Sequence, residues 1–205
     1  HPPEGASVVS ETEINDTPKE LFFSGDRLIL FSTGTEASET RPEITDPWRN
    51  PVPPYYRPYS PVTFTTIYDI SDRNHPTMLK EYTIEGDYLD ARMIGSLVYQ
   101  ITREQISPYY GDHIVVPALR EGSRTVVQPD VWYFDHPESQ YTFTTITSLD
   151  ASSGKEKDAQ TYLLGTGSTL YVSEDAIYVS YPRYHPVIYK GQAQELSPGL
   201  AVDAS

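Results

Sequence analysis

The chain has 205 residues, no cysteine and a formal net charge of −14, its 15 basic residues scattered among 29 acidic ones. That rules out disulfides, thiolate nucleophiles and cysteine-based metal sites, and without a clustered basic stripe it argues against nucleic acid or anionic membrane as a partner. Seventeen Tyr, 18 Pro and 12 Gly beside frequent Thr and Val point to strands rather than helices, and no apolar run reaches the ~20 residues a membrane-spanning helix needs.

Residues 1–19 read as a polar N-terminal arm. It opens His1-Pro2-Pro3-Glu4 without an initiator Met, so the chain is expected to be processed or cut from something longer. Asn15-Asp16-Thr17 fits a glycosylation sequon, which makes Asn15 a candidate modification site. Four strands are then predicted at 21–23, 27–32, 62–70 and 78–84, with a long insert over 34–60 between the second and the third. Four more are predicted at 88–94, 97–102, 141–150 and 158–164, with an insert over 103–140 at the same place. Two strands follow at 168–173 and 175–181, and residues 182–205 form a tail.

The division rests on an internal repeat. Phe64-Thr65-Thr66-Ile67 returns as Phe143-Thr144-Thr145-Ile146, 79 residues later. A small polar turn followed by an apolar run occurs three times, at Gly25-Asp26-Arg27-Leu28-Ile29, Gly95-Ser96-Leu97-Val98-Tyr99 and Glu174-Asp175-Ala176-Ile177-Tyr178. Over 141–150, Tyr141, Phe143, Thr145, Thr147 and Leu149 alternate with Thr142, Thr144, Ile146 and Ser148, the period-two signature of a strand. The expected fold is therefore all-β. Blades of four antiparallel strands stack as in a β-propeller, with about two and a half blades over residues 20–181. Closed propellers have at least ~4 blades, so this one is incomplete and is expected to be completed by contacts beyond its own residues.

Several segments in order carry a family resemblance: Ile67-Tyr68-Asp69-Ile70-Ser71-Asp72 with Pro76 and Leu79, then Gly86-Asp87-Tyr88-Leu89-Asp90-Ala91-Arg92 leading into Leu97-Val98-Tyr99, then Asp130-Val131-Trp132-Tyr133-Phe134, then Thr169-Leu170-Tyr171-Val172-Ser173. Across roughly residues 20 to 181 the chain resembles the secreted archaeal and bacterial proteins with a C-terminal β-propeller domain distantly related to WD repeats. The resemblance implies export, hence an extracellular or cell-surface location, and a propeller. It implies no reaction. The chain departs from the family in having too few blades.

The candidate chemistry is sparse. Asp69-Ile70-Ser71-Asp72-Arg73-Asn74-His75-Pro76 alternates oxygen ligands as a calcium loop does, but lacks the central Gly and closing Glu; it reads as a strand-end turn whose Asp and Asn side chains cap their own backbone. Asp87, Asp90 and Arg92 lie on an expected inner strand, where one could face a ligand or, two apart, Asp90 and Arg92 could pair. The five histidines show no metal-ligand spacing, and no nucleophile elbow or phosphate-cradling Gly loop occurs. No cofactor, metal site or catalytic residue is assigned. The inserts are rich in aromatics: Trp48, Tyr55, Tyr56 and Tyr59 in the first, Tyr109, Tyr110, Trp132 and Tyr133 in the second. Both are expected to leave the same rim of adjacent blades and to touch through these side chains, which either pin the loops down or recognise a protein or glycan. The leading function is a non-catalytic binding, scaffolding or structural-assembly module, with a protein, a glycan or further copies of itself as partner. The alternative is a fragment of a propeller hydrolase acting on sugar or lactone, most of whose catalytic residues lie outside the chain.

Overall fold

A computed structural model of the protein describes residues 3–37, 59–106, 116–135, 138, 140–166, 169–173 and 176–180. After a short 3-10 turn at Pro3–Gly5 the described chain is built of strands: β1 (Thr17–Ser24), β2 (Arg27–Ala37), β3 (Tyr59–Asp69), β4 (Thr77–Glu85), β5 (Asp87–Ile94), β6 (Leu97–Ile106), β7 (Leu119–Glu121), β8 (Arg124–Val127), β9 (Asp130–Tyr133), β10 (Tyr141–Asp150), β11 (Lys155–Gly165), β12 (Thr169–Val172) and β13 (Ile177–Ser180). They form a sheet in the order β1-β2-β3-β4-β7-β8, a second in the order β5-β6-β10-β11-β9 and a β12-β13 hairpin. Each large sheet contains a four-stranded antiparallel meander, β1 to β4 and β5-β6-β10-β11, as the repeat requires.

Two features differ from the sequence reading. The segment 103–140 is not a free rim loop. β6 continues to Ile106, β7 and β8 form a hairpin added to the outer edge of β4, and β9 pairs in parallel with β11 at the outer edge of the second sheet. An edge strand offers a row of unpaired backbone groups, and short β-prone runs in the insert satisfy them. Leu119, 2% exposed, sits in the core as a result. The second difference concerns alignment. Aligned on their tight turns, the ladders pair Tyr68 with Leu28 and Leu149 with Val98. Tyr68 thus corresponds to Leu149, a shift of 81 residues rather than the 79 of the Phe-Thr-Thr-Ile motif. The two-residue slip is one full pleat, so it leaves every side chain on its face.

The two sheets pack face to face. Ile29, Phe31, Ile67, Tyr82 and Ile84 of the first meet Ala91, Val98, Leu149 and Ala151 of the second, with Phe22, Tyr88 and Met93 at the margin. Phe31 makes an edge contact with Phe22 and a tilted one with Tyr88, at centroid separations of 6.0 and 5.7 Å. Each fully buried Val, Leu, Ile or Phe side chain contributes about 1.5–3 kcal/mol. Threonines give the seam a polar lining: Thr63 Oγ1 donates to the Gly86 carbonyl at 2.8 Å, and Thr65 bonds the Gln100 amide oxygen.

The tip between β10 and β11 fastens the sheets. Asp150 Oδ1 accepts from Ser152 N and Oγ and from Ser153 N and Oγ, at 2.6–3.1 Å. These bonds, the Ser152 hydroxyl first, lower the Asp150 pKa from 3.8 to about 2. A carboxylate whose folded pKa is depressed stabilises the fold above its unfolded pKa and loses that contribution as pH falls through the folded one. Asp150→Asn is therefore expected to melt lower than the parent at neutral pH, with the gap closing as pH drops from 3.8 to about 2. Thermal melts of both proteins across that window check this; a gap persisting at the acid end would contradict it.

Candidate functional site

Of the aromatics expected to form a recognition surface, Trp132 and Tyr133 are described, and both are on the surface. They lie on β9, the outermost strand of the second sheet, with Trp132 in register with Tyr162 of β11. Their exposures are 55% and 72%, and Phe134 directly after them is 55% exposed. Successive side chains of a strand point to opposite sides, so the pair presents rings on both faces of one edge. Phe134 belongs to the segment that carries the family resemblance but was not named among the recognition aromatics, although it continues the same run. Trp48, Tyr55, Tyr56, Tyr109 and Tyr110 lie outside the described residues. Tyr59 begins β3, and its side chain is likewise outside the description. Asn15 is exposed in a bend just before β1.

One described contact between the two inserts is ionic; most of the aromatics expected to meet there lie outside the described residues. Arg120 of β7 holds Glu36, at the end of β2, at 2.8 Å and Glu85, at the end of β4, at 2.7 Å. Glu85 also accepts from the Ala118 amide at 2.9 Å. One guanidinium thus ties the β7 segment of the second insert to the start of the first insert and to the end of β4 through its fork of donors. Sequence gave no signal for this pairing, because the partners are 84 residues apart.

The inner strand β5 carries the other candidates. Asp90 and Arg92 pair with each other at 2.8 Å, as their spacing suggested. A bulge inserts Leu89 between Tyr88 and Asp90; bulges re-aim neighbouring side chains. Here Tyr88 turns toward the core and its hydroxyl donates to the Glu20 carboxylate. Burial first, then the Glu20 hydrogen bond and charge, push the Tyr88 pKa well above the usual tyrosine value, which keeps it a neutral donor. Asp87, opposite Arg103 in the ladder, lines an open groove of about 400 Å³ together with Leu89, Gln105, Gln140 and Thr142. The groove lies where β5 and β10 begin and β6 ends, on the end from which the 103–140 segment departs.

The carboxylates of the β3–β4 connection serve as turn caps. Asp69 accepts from the Ser71 amide at 2.9 Å and pairs with Arg27 at 2.7 Å. Asp72 accepts from the Asn74 amide at 2.9 Å and holds the His75 ring at 2.9 Å. Both are held below the usual aspartate range, Asp69 chiefly by the Ser71 hydrogen bond and Asp72 chiefly by His75. Ser10 of the N-terminal segment donates to the Arg73 carbonyl at 2.7 Å, so the arm is anchored at this turn. His1, His113, His136 and His185 fall outside the described residues.

Comparison with known proteins bears on the whole chain. A family model described as a beta propeller domain matches residues 1–199. An uncharacterized protein of Archaeoglobus fulgidus is 28% identical over 102 residues, a stretch covering 48% of this chain and 16% of that protein. The chain thus spans well under two thirds of that relative's length. No solved structure matches.

Proposed function

The chain belongs to the beta propeller domain family, and we propose that it is a secreted or cell-surface module with a non-catalytic binding and scaffolding role, recognising a protein or a glycan. The observation that carries this reading is the exposed aromatic edge of Trp132 and Tyr133, fixed by hydrogen bonding to β11 of a packed sheet. Aromatic rings supply a large contact area with few rotatable bonds, and a strand on a rigid sheet holds them ready without an ordering cost at binding. The charged groups near the inner strands support it too, since Asp90, Arg92, Glu20 and Tyr88 are engaged with one another in pairs that hold the fold.

The fluorescently labelled chain on a printed glycan array and on an array of purified secreted proteins tests the reading. Replacing Trp132 and Tyr133 together by Ala is expected to weaken the parent's signal by about tenfold or more, as loss of a central aromatic anchor does, without moving the melting temperature. Failure of the parent on both arrays, or a signal indifferent to the substitution, would overturn it. The groove at Asp87 favours a second reading, a hydrolase acting on sugar or lactone, with Asp87 as its carboxylate. Turnover of fluorogenic glycosides or lactones that Asp87→Asn abolishes would establish that reading instead.

A further inference from the structure

Asn15-Asp16-Thr17 has the Asn-x-Thr form of an N-glycosylation acceptor, and the binding role proposed above does not use it. A three-residue motif is common in proteins, so the surroundings that the fold gives it decide whether it can serve.

The segment ahead of β1 is held at two points. Ser10 Oγ donates to the Arg73 carbonyl at 2.7 Å. Farther along, Asp16 lies against β2, where a methyl group on Gly34 would stand only 2.6 Å from its Oδ1. Gly34 thus leaves the room that the Asp16 side chain fills, and Asp16 is half-buried. Its two neighbours in the motif are exposed, Asn15 in a bend and Thr17 at the first position of β1. So are residues 11–14 before them and Pro18 and Lys19 after them. Among the described residues no hydrogen bond or ion pair engages the side chain of Asn15 or Thr17. The carboxylate in the middle, whose charge would repel an anionic donor, is the group turned to the sheet. The carboxamide and the hydroxyl on either side of it are the groups left accessible.

We propose that Asn15 carries an N-linked glycan, added as the chain is exported. An amide nitrogen is a weak nucleophile, because its lone pair is shared with the carbonyl. A transferase therefore has to grip both the carboxamide and the hydroxyl two residues on, and groups already bonded within a fold are withheld from it. The donor is an oligosaccharide joined through its first sugar carbon to a lipid phosphate. That carbon–oxygen bond breaks and a bond from the same carbon to Asn15 Nδ2 forms. The lipid phosphate leaves with the electron pair, and one amide proton passes to a base of the transferase. The proposal rests on the secreted reading, since the chain must reach the compartment where such donors are used. A glycan is bulky and solubilising, and at Asn15 it displaces no described contact of the fold.

Mass spectrometry of the protein isolated from the cells that naturally make it tests the proposal, read on the tryptic peptide that ends at Lys19. That peptide is expected to carry a sugar mass located on Asn15. Asn15→Gln and Thr17→Ala, made in the same cells, are expected to lose the sugar completely, and Thr17→Ser to keep it because it keeps the hydroxyl. All three sites are on the surface, so the variants are expected to be recovered folded, with melting curves like that of the parent once its glycan has been enzymatically removed. An unmodified peptide in protein recovered from the cell surface or the medium would overturn the proposal and leave the secreted reading standing. An unmodified peptide in protein found only inside the cells would overturn both. Neither Asn15 nor Thr17 lies on β9, so failure here leaves the array experiment unaffected.

Discussion

Gly86→Ala is expected to cost about 3 kcal/mol or more of folding stability, a large part of the 5–15 kcal/mol typical of a domain. Gly86 is the hinge residue between β4 and β5, where the chain passes from one sheet to the next. Its φ is +105°, a conformation that side-chain-bearing residues adopt only under strain of about 1–3 kcal/mol. A methyl group there would lie 2.8 Å from the Arg103 carbonyl oxygen and 2.9 Å from its carbon. Those atoms belong to the β6 backbone and cannot swing aside, so overpacking adds about 1–3 kcal/mol. Any shift that relieved the overlap would stretch the bond from the Gly86 amide to the Pro61 carbonyl and that from Thr63 to the Gly86 carbonyl, each 2.8 Å. Gly25→Ala is the control: its φ is +60° and nothing lies within 4 Å of the added carbon, so it bears only the conformational part. Urea unfolding of both variants measures the difference; equal losses would show that the contact with β6 does not matter.

Tyr82→Ala is expected to cost about 3–5 kcal/mol, as removal of a buried aromatic does, and Tyr82→Phe about 1–3 kcal/mol through its hydroxyl alone. The ring is fully buried although it lies on β4, the fourth strand of its meander. Its hydroxyl stands 2.9 Å from the Gly154 carbonyl and 2.8 Å from a Glu156 carboxylate oxygen, and it accepts from Lys80 at 3.1 Å. Burial first, then the Glu156 hydrogen bond and charge, raise the Tyr82 pKa far above the usual tyrosine value, so the side chain remains a donor. Glu156 shows the other half. Partial burial opposes its ionisation, but the Tyr82 hydroxyl, its own backbone bond and the charges of Lys80 and Lys155 outweigh that and lower its pKa. A double-mutant cycle between Tyr82→Phe and Glu156→Gln is expected to give a coupling of about 0.5–3 kcal/mol. Strictly additive losses would mean that the hydroxyl does not join the two sheets. Gly154 adds a steric reason for the same junction: at φ +63°, a methyl group on it would lie 2.7 Å from Ile67 Cδ1 in the core.

Much of this architecture was readable before any coordinates. Period-two alternation placed the strands and their faces, and the bounds of β10 agree with the expected 141–150. That works because the side-chain period of a strand is a local property and the buried face needs apolar residues wherever the sheet ends up. The Asp69 and Asp72 turn caps and the Asp90–Arg92 pair were legible for the same reason, since their partners lie within three residues.

The candidate surfaces were less so. Trp132 and Tyr133 were named as recognition residues, but only pairing of β9 with β11 decided that they stand on a sheet edge rather than in a rim loop. Leu119 looked like part of that loop and became core. The joints at Glu20–Tyr88, Tyr82–Glu156 and Arg120 with Glu36 and Glu85 link residues 35 to 84 positions apart, farther than any motif window reaches. Alternation, turn chemistry and the repeat were determined by the sequence itself, because each follows from forces between near neighbours along the chain. Which edge received the insert's strands and which distant charges met were decided only by the tertiary structure, because hydrogen bonding between edges and burial between sheets depend on what the fold brings alongside.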